Sequence, residues 1–231
     1  MANYNFILTK DFIYTSNSKV FVEHNCIEND EKQLSIGIIF LPPNPEWEGS
    51  ENNKIFNELF YTLKNDFSII KCVFQKHKID NFNNMYKNNY KNYKNLLYVR
   101  DASVVVDFFF QKFHNIHKCF IVGYSWGCQI AMNIIMRRPE LTSFILISPT
   151  LSLADCDYRG FIISNFKTNG MIVYGKNDSL SSKNYIDSYK QFLNSKKINV
   201  NIESIDTNHY YNTNNAIDDL RKVILNFINN N

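Results

Sequence analysis

Cys119-Phe120-Ile121-Val122-Gly123-Tyr124-Ser125-Trp126-Gly127 runs from a short apolar stretch into a segment where Ile130, Ala131, Ile134 and Ile135 share one helical face. The order strand, Gly-x-Ser-x-Gly, helix has a physical logic. A serine raised on a sharp turn at a strand's end needs strained backbone angles and close neighbours without side chains, and Gly123 and Gly127 supply the latter. The helix after it stops at Arg137-Arg138-Pro139, with cations at the negative end of the dipole and proline as the breaker. Ser125 is therefore expected at the carboxyl end of a strand and the amino end of a helix, where the helix dipole favours a developing oxyanion.

The same alternation extends outward in both directions. Ser35 to Leu41, Phe67 to Phe74, Phe144 to Ile147 and Met171 to Tyr174 are further apolar runs ended by Pro, Gly or Ser-Pro punctuation, as buried parallel strands should be. Val200 to Ile205 alternates more and is expected at a sheet edge. Phe6 to Leu8 and Val20 to Val22 read as an antiparallel N-terminal pair. Helical periodicity covers Val99 to Phe113, where Ala102, Val105, Val106, Phe109, Phe110 and Phe113 share a face, as well as Lys183 to Leu193 and Ala216 to Ile228. Strands alternating with helices predict an α/β domain with a mostly parallel central sheet and helices on both faces. The Asn, Lys and Tyr stretch 81–95 is expected as a solvated loop.

A serine hydroxyl is a poor nucleophile at neutral pH, so a base must take its proton and an acid must orient that base. The chain has five histidines. His24 and His77 lie upstream, His114 and His117 precede the Ser125 strand, and these four are expected at the surface or in loops. His209 follows the strand ending at Ile205 and so falls at the sheet edge where parallel strands end. For the acid, Asp178 in Tyr174-Gly175-Lys176-Asn177-Asp178 follows another strand and completes the order Ser, Asp, His. Asp155, Asp157 and Asp206 compete for that role.

With 231 residues, 45% of them hydrophobic, one core and a single domain over 1–231 are expected. The 25 basic and 22 acidic residues balance to a charge of +3, which predicts neither a nucleic-acid surface nor attraction to anionic membranes. No apolar run reaches membrane-spanning length, and polar residues interrupt the first stretch before it can form a signal h-region. The five cysteines, Cys26, Cys72, Cys119, Cys128 and Cys156, are scattered and never spaced C-x-x-C, so reduced thiols, no metal site and a cytoplasmic location are expected.

Taken together, these segments resemble the short, lidless α/β-hydrolases whose oxyanion loop reads H-P-H-P-x-x-G-G-x-x-x-N-K. The matching stretch is Pro42-Pro43-Asn44-Pro45-Glu46-Trp47-Glu48-Gly49-Ser50-Glu51-Asn52-Asn53-Lys54, followed by Arg100-Asp101-Ala102, Gly123 to Gly127, Val173 to Asp178 and Asn208-His209-Tyr210-Tyr211. The likeness runs from about residue 33 to the last residue. Departures are Pro42 and Asn44 in place of the two histidines, Glu48 in place of the first glycine, and Gln75-Lys76-His77-Lys78 where such hydrolases carry an Arg-Gly turn.

The resemblance implies an α/β-hydrolase fold without a cap domain, the connection from Pro149 to Gly170 being too short for one. It implies Ser125 as nucleophile, His209 as base and Asp178 as acid, with the backbone N–H groups of Asn44 and Trp126 as the oxyanion hole and no metal or cofactor. Pro43 and Pro45 would stiffen the loop and leave Asn44 the donor among them. The expected reaction is hydrolysis of an ester or thioester, or of an activated amide, through an acyl-enzyme. Its substrate would be a small molecule or acyl group taken at an open site bordered by Trp47, Trp126, Tyr210 and Tyr211. A catalytically inactive binding protein of the same fold and a serine peptidase are the alternatives.

Overall fold

The continuous apolar runs are strands because residues buried on both faces of a sheet leave no room for polar alternation. The computed structural model describes residues 6–15, 18–27, 35–46, 53–77, 90–150 and 168–231. Its elements in chain order are β1 (Phe6–Tyr14), β2 (Lys19–Ile27), β3 (Ile36–Leu41), α1 (Lys54–Leu63), β4 (Ser68–Val73), α2 (Tyr90–Lys112), β5 (Lys118–Tyr124), α3 (Gly127–Ile135), β6 (Ser143–Ile147), β7 (Asn169–Gly175), α4 (Lys183–Ser195), β8 (Asn199–Ile205) and α5 (Ala216–Asn229).

The strands form one eight-stranded sheet in the order β1-β2-β4-β3-β5-β6-β7-β8. β1 and β2 pair antiparallel, with Phe12 opposite Phe21, and β2 pairs antiparallel with β4. From β4 through β8 every pairing is parallel. The edge position expected for the alternating strand belongs to β8, whose outer side chains are exposed.

The pleat sends alternate residues to opposite faces. Cys119 and Ile121 of β5 join Ile39, Phe144, Leu146 and Ile172 in a core covered by α2, α3 and α4. Phe120, Val122 and Tyr124 turn the other way and pack with Phe40, Ile145, Ile147 and Val173 beneath α1 and α5. Because β3 and β5 to β8 run parallel, their carboxyl ends share one edge, and the loops there carry the residues of interest.

Several expectations need correction. α2 begins at Tyr90 rather than Val99, so the last part of the 81–95 stretch is helix and not loop. Asn, Lys and Tyr are only mildly unfavourable in helices, and the sequence of this first turn carries no apolar stripe to betray it. β1 and β2 are nine residues each, longer than the apolar triplets at their amino ends suggest. His24 is fully buried, not at the surface. Its Nε2 lies 2.9 Å from Asp11 Oδ2, and its ring meets Phe108 and Phe113 edge-on because α2 covers β2.

His77 is likewise enclosed, 2.8 Å from the buried carboxylate of Asp101, which also accepts from Ser18 Oγ at 2.7 Å. His114 and His117 are surface residues at the amino end of β5, as expected. Cys72, Cys119 and Cys128 are buried thiols, and burial pushes the first two well above the ordinary thiol range. Cys156 lies outside the described residues. Among the described residues no helix is long and apolar enough to cross a membrane.

Candidate active site

The turn between β5 and α3 sets the geometry of the site. Ser125 lies at φ 55°, in the left-handed region that a residue with a Cβ enters only under constraint. Its N–H donates to Ile147 O at 2.8 Å, and the Cys128 N–H donates to Ser125 O at 3.1 Å, so the strained residue is tied to β6 and to the first turn of α3. A Cβ on Gly127 would stand 2.4 Å from Pro42 O and 2.6 Å from Leu41 O; one on Gly123 would stand 2.6 Å from Gly127 O. Both glycines are therefore required by close backbone approach. The approach at Gly127 brings Pro42, two residues before Asn44, against the Ser125 turn.

Gly127→Ala offers a clean check, because the atoms it would strike are backbone and cannot rotate away. We expect a loss of about 3 kcal/mol in stability from overpacking, read as a lower urea midpoint. An unchanged midpoint would contradict the observed contact.

Ser125, His209 and Asp178 come from three loops at the same sheet edge, and the chain brings them into line. Ser125 Oγ is 3.0 Å from His209 Nε2, and His209 Nδ1 is 2.8 Å from Asp178 Oδ2. All three residues are buried, at 7%, 3% and 4% exposure, which strengthens the polar contacts and limits competition from water. A carboxylate facing Nδ1 fixes the proton on that nitrogen and leaves Nε2 free to accept from the Ser125 hydroxyl.

The imidazole is held from its other sides as well. Tyr124 Oη–H donates to His209 O at 2.9 Å, the Tyr124 ring stacks on the imidazole at 5.7 Å, and Tyr210 meets it edge-on at 5.4 Å.

Asp178 is satisfied at both oxygens. Oδ1 accepts from the N–H groups of Leu180 at 2.8 Å and Ser181 at 3.0 Å, the loop having turned back on its own carboxylate. Burial pushes the Asp178 carboxyl upward. The hydrogen bond and charge of His209, with further donors from Ser148 and Leu180, outweigh that and hold it below the usual carboxylate range. Asp206 bonds Asn177 Nδ2 at 3.2 Å at the surface instead of His209, while Asp155 and Asp157 lie outside the described residues.

Asn44 is half-buried, directly after the buried Pro42-Pro43, and its Oδ1 caps the Glu46 N–H at 2.9 Å. Trp126 occupies the position just before α3, in helical conformation and with no side-chain cap hydrogen bond. Tyr210 is 52% exposed beside His209, and Trp47 lies outside the described residues. Two other aromatic expectations are corrected. The Trp126 ring packs inward on Phe74 and Tyr98, and Tyr211 is 2% exposed, so neither borders an open site. Sequence reading missed Ser148, Tyr124 and the Tyr211 hydroxyl as partners of the site; the only local signal was Ser148-Pro149 punctuating the end of β6.

No family model matches the chain. It is 27% identical over 180 residues to an uncharacterized protein of Rickettsia prowazekii (strain Madrid E), the match covering 71% of this chain and 66% of that protein's length. Among solved structures it is similar to a protein of unknown function from Agrobacterium tumefaciens, with a TM-score of 0.71, 20% identity and coverage of 96% of this chain and 95% of that one. It is also similar to a serine hydrolase without a lid from Xanthomonas campestris, with a TM-score of 0.70, 14% identity and coverage of 96% and 94%. The chain thus has the α/β-hydrolase fold, with an open, mostly parallel sheet not closed into a barrel.

Proposed function

We propose that the protein is a serine hydrolase that cleaves an ester or thioester through an acyl-enzyme. The observation that carries this reading is the buried hydrogen-bonded line from Ser125 Oγ through His209 to Asp178, mounted on a turn whose serine sits at φ 55°. A serine in an ordinary turn needs neither the strain nor the partners.

In the proposed reaction the Ser125 oxygen attacks the acyl carbonyl while Nε2 of His209 takes its proton. Asp178 stabilises the resulting imidazolium without accepting the proton itself. The carbonyl oxygen, now negative, takes hydrogen bonds from the backbone N–H groups of Trp126 and Asn44, the first of them also at the positive end of the α3 dipole. His209 then protonates the departing alcohol or thiol. Water, activated by the same imidazole, releases the acid and restores Ser125. Tyr210, exposed beside the imidazole, together with Trp47, would border the acyl group. The buried, unbridged thiols suit a reducing, cytoplasmic setting.

A panel of p-nitrophenyl esters from acetate to longer chains, with matched thioesters and anilides, tests the proposal. We expect saturable turnover of esters or thioesters with an initial burst from acyl-enzyme formation. A folded protein inert toward every one of them would overturn it in favour of a binding scaffold, and turnover confined to anilides would favour a peptidase.

A further inference from the structure

His209 reaches its place beside Ser125 from a distant strand. It stands in the loop after β8, Ser125 stands in the turn after β5, and β6 and β7 lie between them. Three strand spacings amount to about 14 Å. Strand pairing alone therefore does not bring the imidazole within hydrogen-bond reach of the serine.

Most anchors of the histidine loop lie on the β6 and β7 side. The Asn177 N–H donates to Thr207 O at 3.0 Å, which fastens the root of the loop to the turn after β7. The Tyr211 hydroxyl lies 3.2 Å from Ser148 Oγ, at the end of β6. Asp178, also after β7, holds Nδ1 of His209 at 2.8 Å. A single bond at Nδ1 leaves the ring free to turn about it.

The anchor on the β5 side is Tyr124, the last residue of that strand. The pleat sends its side chain to the same face as Phe120 and Val122, where Tyr211 and Ala216 of the segment joining β8 to α5 also pack. Tyr124 is buried, and its Oη–H donates to His209 O at 2.9 Å. Among the described residues no other donor bonds His209 O. The phenol ring also stacks on the imidazole, with centroids 5.7 Å apart and planes inclined by 27°. That geometry is within the range favoured by aromatic pairs.

We propose that Tyr124 is a positioning residue, a strut from the nucleophile's own turn that fixes where the base stands. Its hydroxyl sets the main chain of His209 and its ring sets the plane of the imidazole, while the proton passes between Ser125 and His209 without it. Because Tyr124 and Ser125 are consecutive, the anchor moves with the nucleophile, and the 3.0 Å from Oγ to Nε2 is kept. The inference rests on the serine-hydrolase reading, and the test separates the two.

The test treats wild type, Tyr124→Phe and Tyr124→Leu with graded concentrations of a fluorophosphonate, at a temperature where each is folded. This splits the maximal rate of phosphonylation from the half-saturating concentration. A 1 Å misplacement of reacting groups costs about 10²-fold in rate. Tyr124→Phe keeps the ring and loses only the hydroxyl bond, so its maximal rate should fall about tenfold with the half-saturating concentration unchanged. Tyr124→Leu loses the stack as well and should fall about 10²-fold. The His209 Nδ1 proton, followed by NMR, gives a second signature. It should exchange with water faster in Tyr124→Phe than in wild type, because the imidazole no longer stays against Asp178.

A wild-type maximal rate in Tyr124→Phe, or a Nδ1 proton that exchanges no faster, would overturn the inference while leaving the hydrolase reading intact. So would a lower melting temperature as the sole change, which marks packing alone. If Tyr124→Leu does not fold, Tyr124→Phe decides. A folded wild type that never reacts would overturn the hydrolase reading, and the Nδ1 proton then decides by itself whether Tyr124 holds the imidazole.

Discussion

His209→Ala is expected to lower kcat on any ester the protein turns over by about 10⁶-fold, the scale seen when the base of a serine triad is removed. The magnitude follows from the site's construction. Ser125 Oγ has Nε2 of His209 at 3.0 Å as its proton acceptor. Truncation leaves a hydroxyl that is almost never ionised near neutral pH, and the later protonation of the leaving group fails for the same reason. The proposed oxyanion donors and substrate binding would remain, so residual activity above the uncatalysed rate is expected. KM should change little, because the imidazole acts on the transition state more than on bound substrate. A fall of tenfold or less, measured on the purified variant by steady-state kinetics, would contradict the assignment.

Asp178→Asn is expected to cost about 10⁴-fold in kcat with the fold retained. An amide in that place keeps an oxygen for the N–H groups of Leu180 and Ser181, so the loop survives. Its other end, facing Nδ1 of His209, becomes either a donor or a much weaker acceptor. The imidazole then shifts to the tautomer with its proton on Nε2, pointing a donor at Ser125, and the imidazolium loses its counter-charge.

The same substitution has a signature in acid. In the folded protein the Asp178 carboxyl is held below its ordinary range. A group with a depressed folded value contributes stability that is fully present above the unfolded value, about 3.9 for Asp, and is lost as pH falls through the folded value. Urea titrations of wild type and Asp178→Asn should accordingly keep a constant gap above about pH 4, the wild type being the more stable, and converge as pH falls from about 4 through the folded value. Parallel curves across that range would show that the carboxylate is not stabilised as described.

How much of this was legible in the sequence depends on whether each feature is local. β3, β5, β6 and β7 announce themselves because a strand buried on both faces is a bare apolar run between turn residues. The Ser125 turn is legible because its two glycines answer steric demands from atoms only a few residues away or in the adjoining strand. Asp178 and His209 follow from topology, since in a parallel sheet every strand delivers its following loop to the same edge.

Other features depend on partners far apart in the chain. Nothing near His24 shows that Asp11 and the Phe108–Phe113 face of α2 will enclose it, and nothing near His77 shows that Asp101 will pair with it. The first turns of α2 lack an apolar stripe, so composition suggested a loop. Tyr211 is read as a rim aromatic until the sheet turns its hydroxyl inward to Ser148. Those are tertiary facts, and local pattern carries no trace of them.

The central claim, that Ser125 is an activated nucleophile, is tested most directly by intact-mass measurement after treatment with a fluorophosphonate. The account predicts one covalent adduct on the folded wild-type chain and none on Ser125→Ala. A folded wild type that stays unmodified, or an adduct that persists in Ser125→Ala, would contradict it.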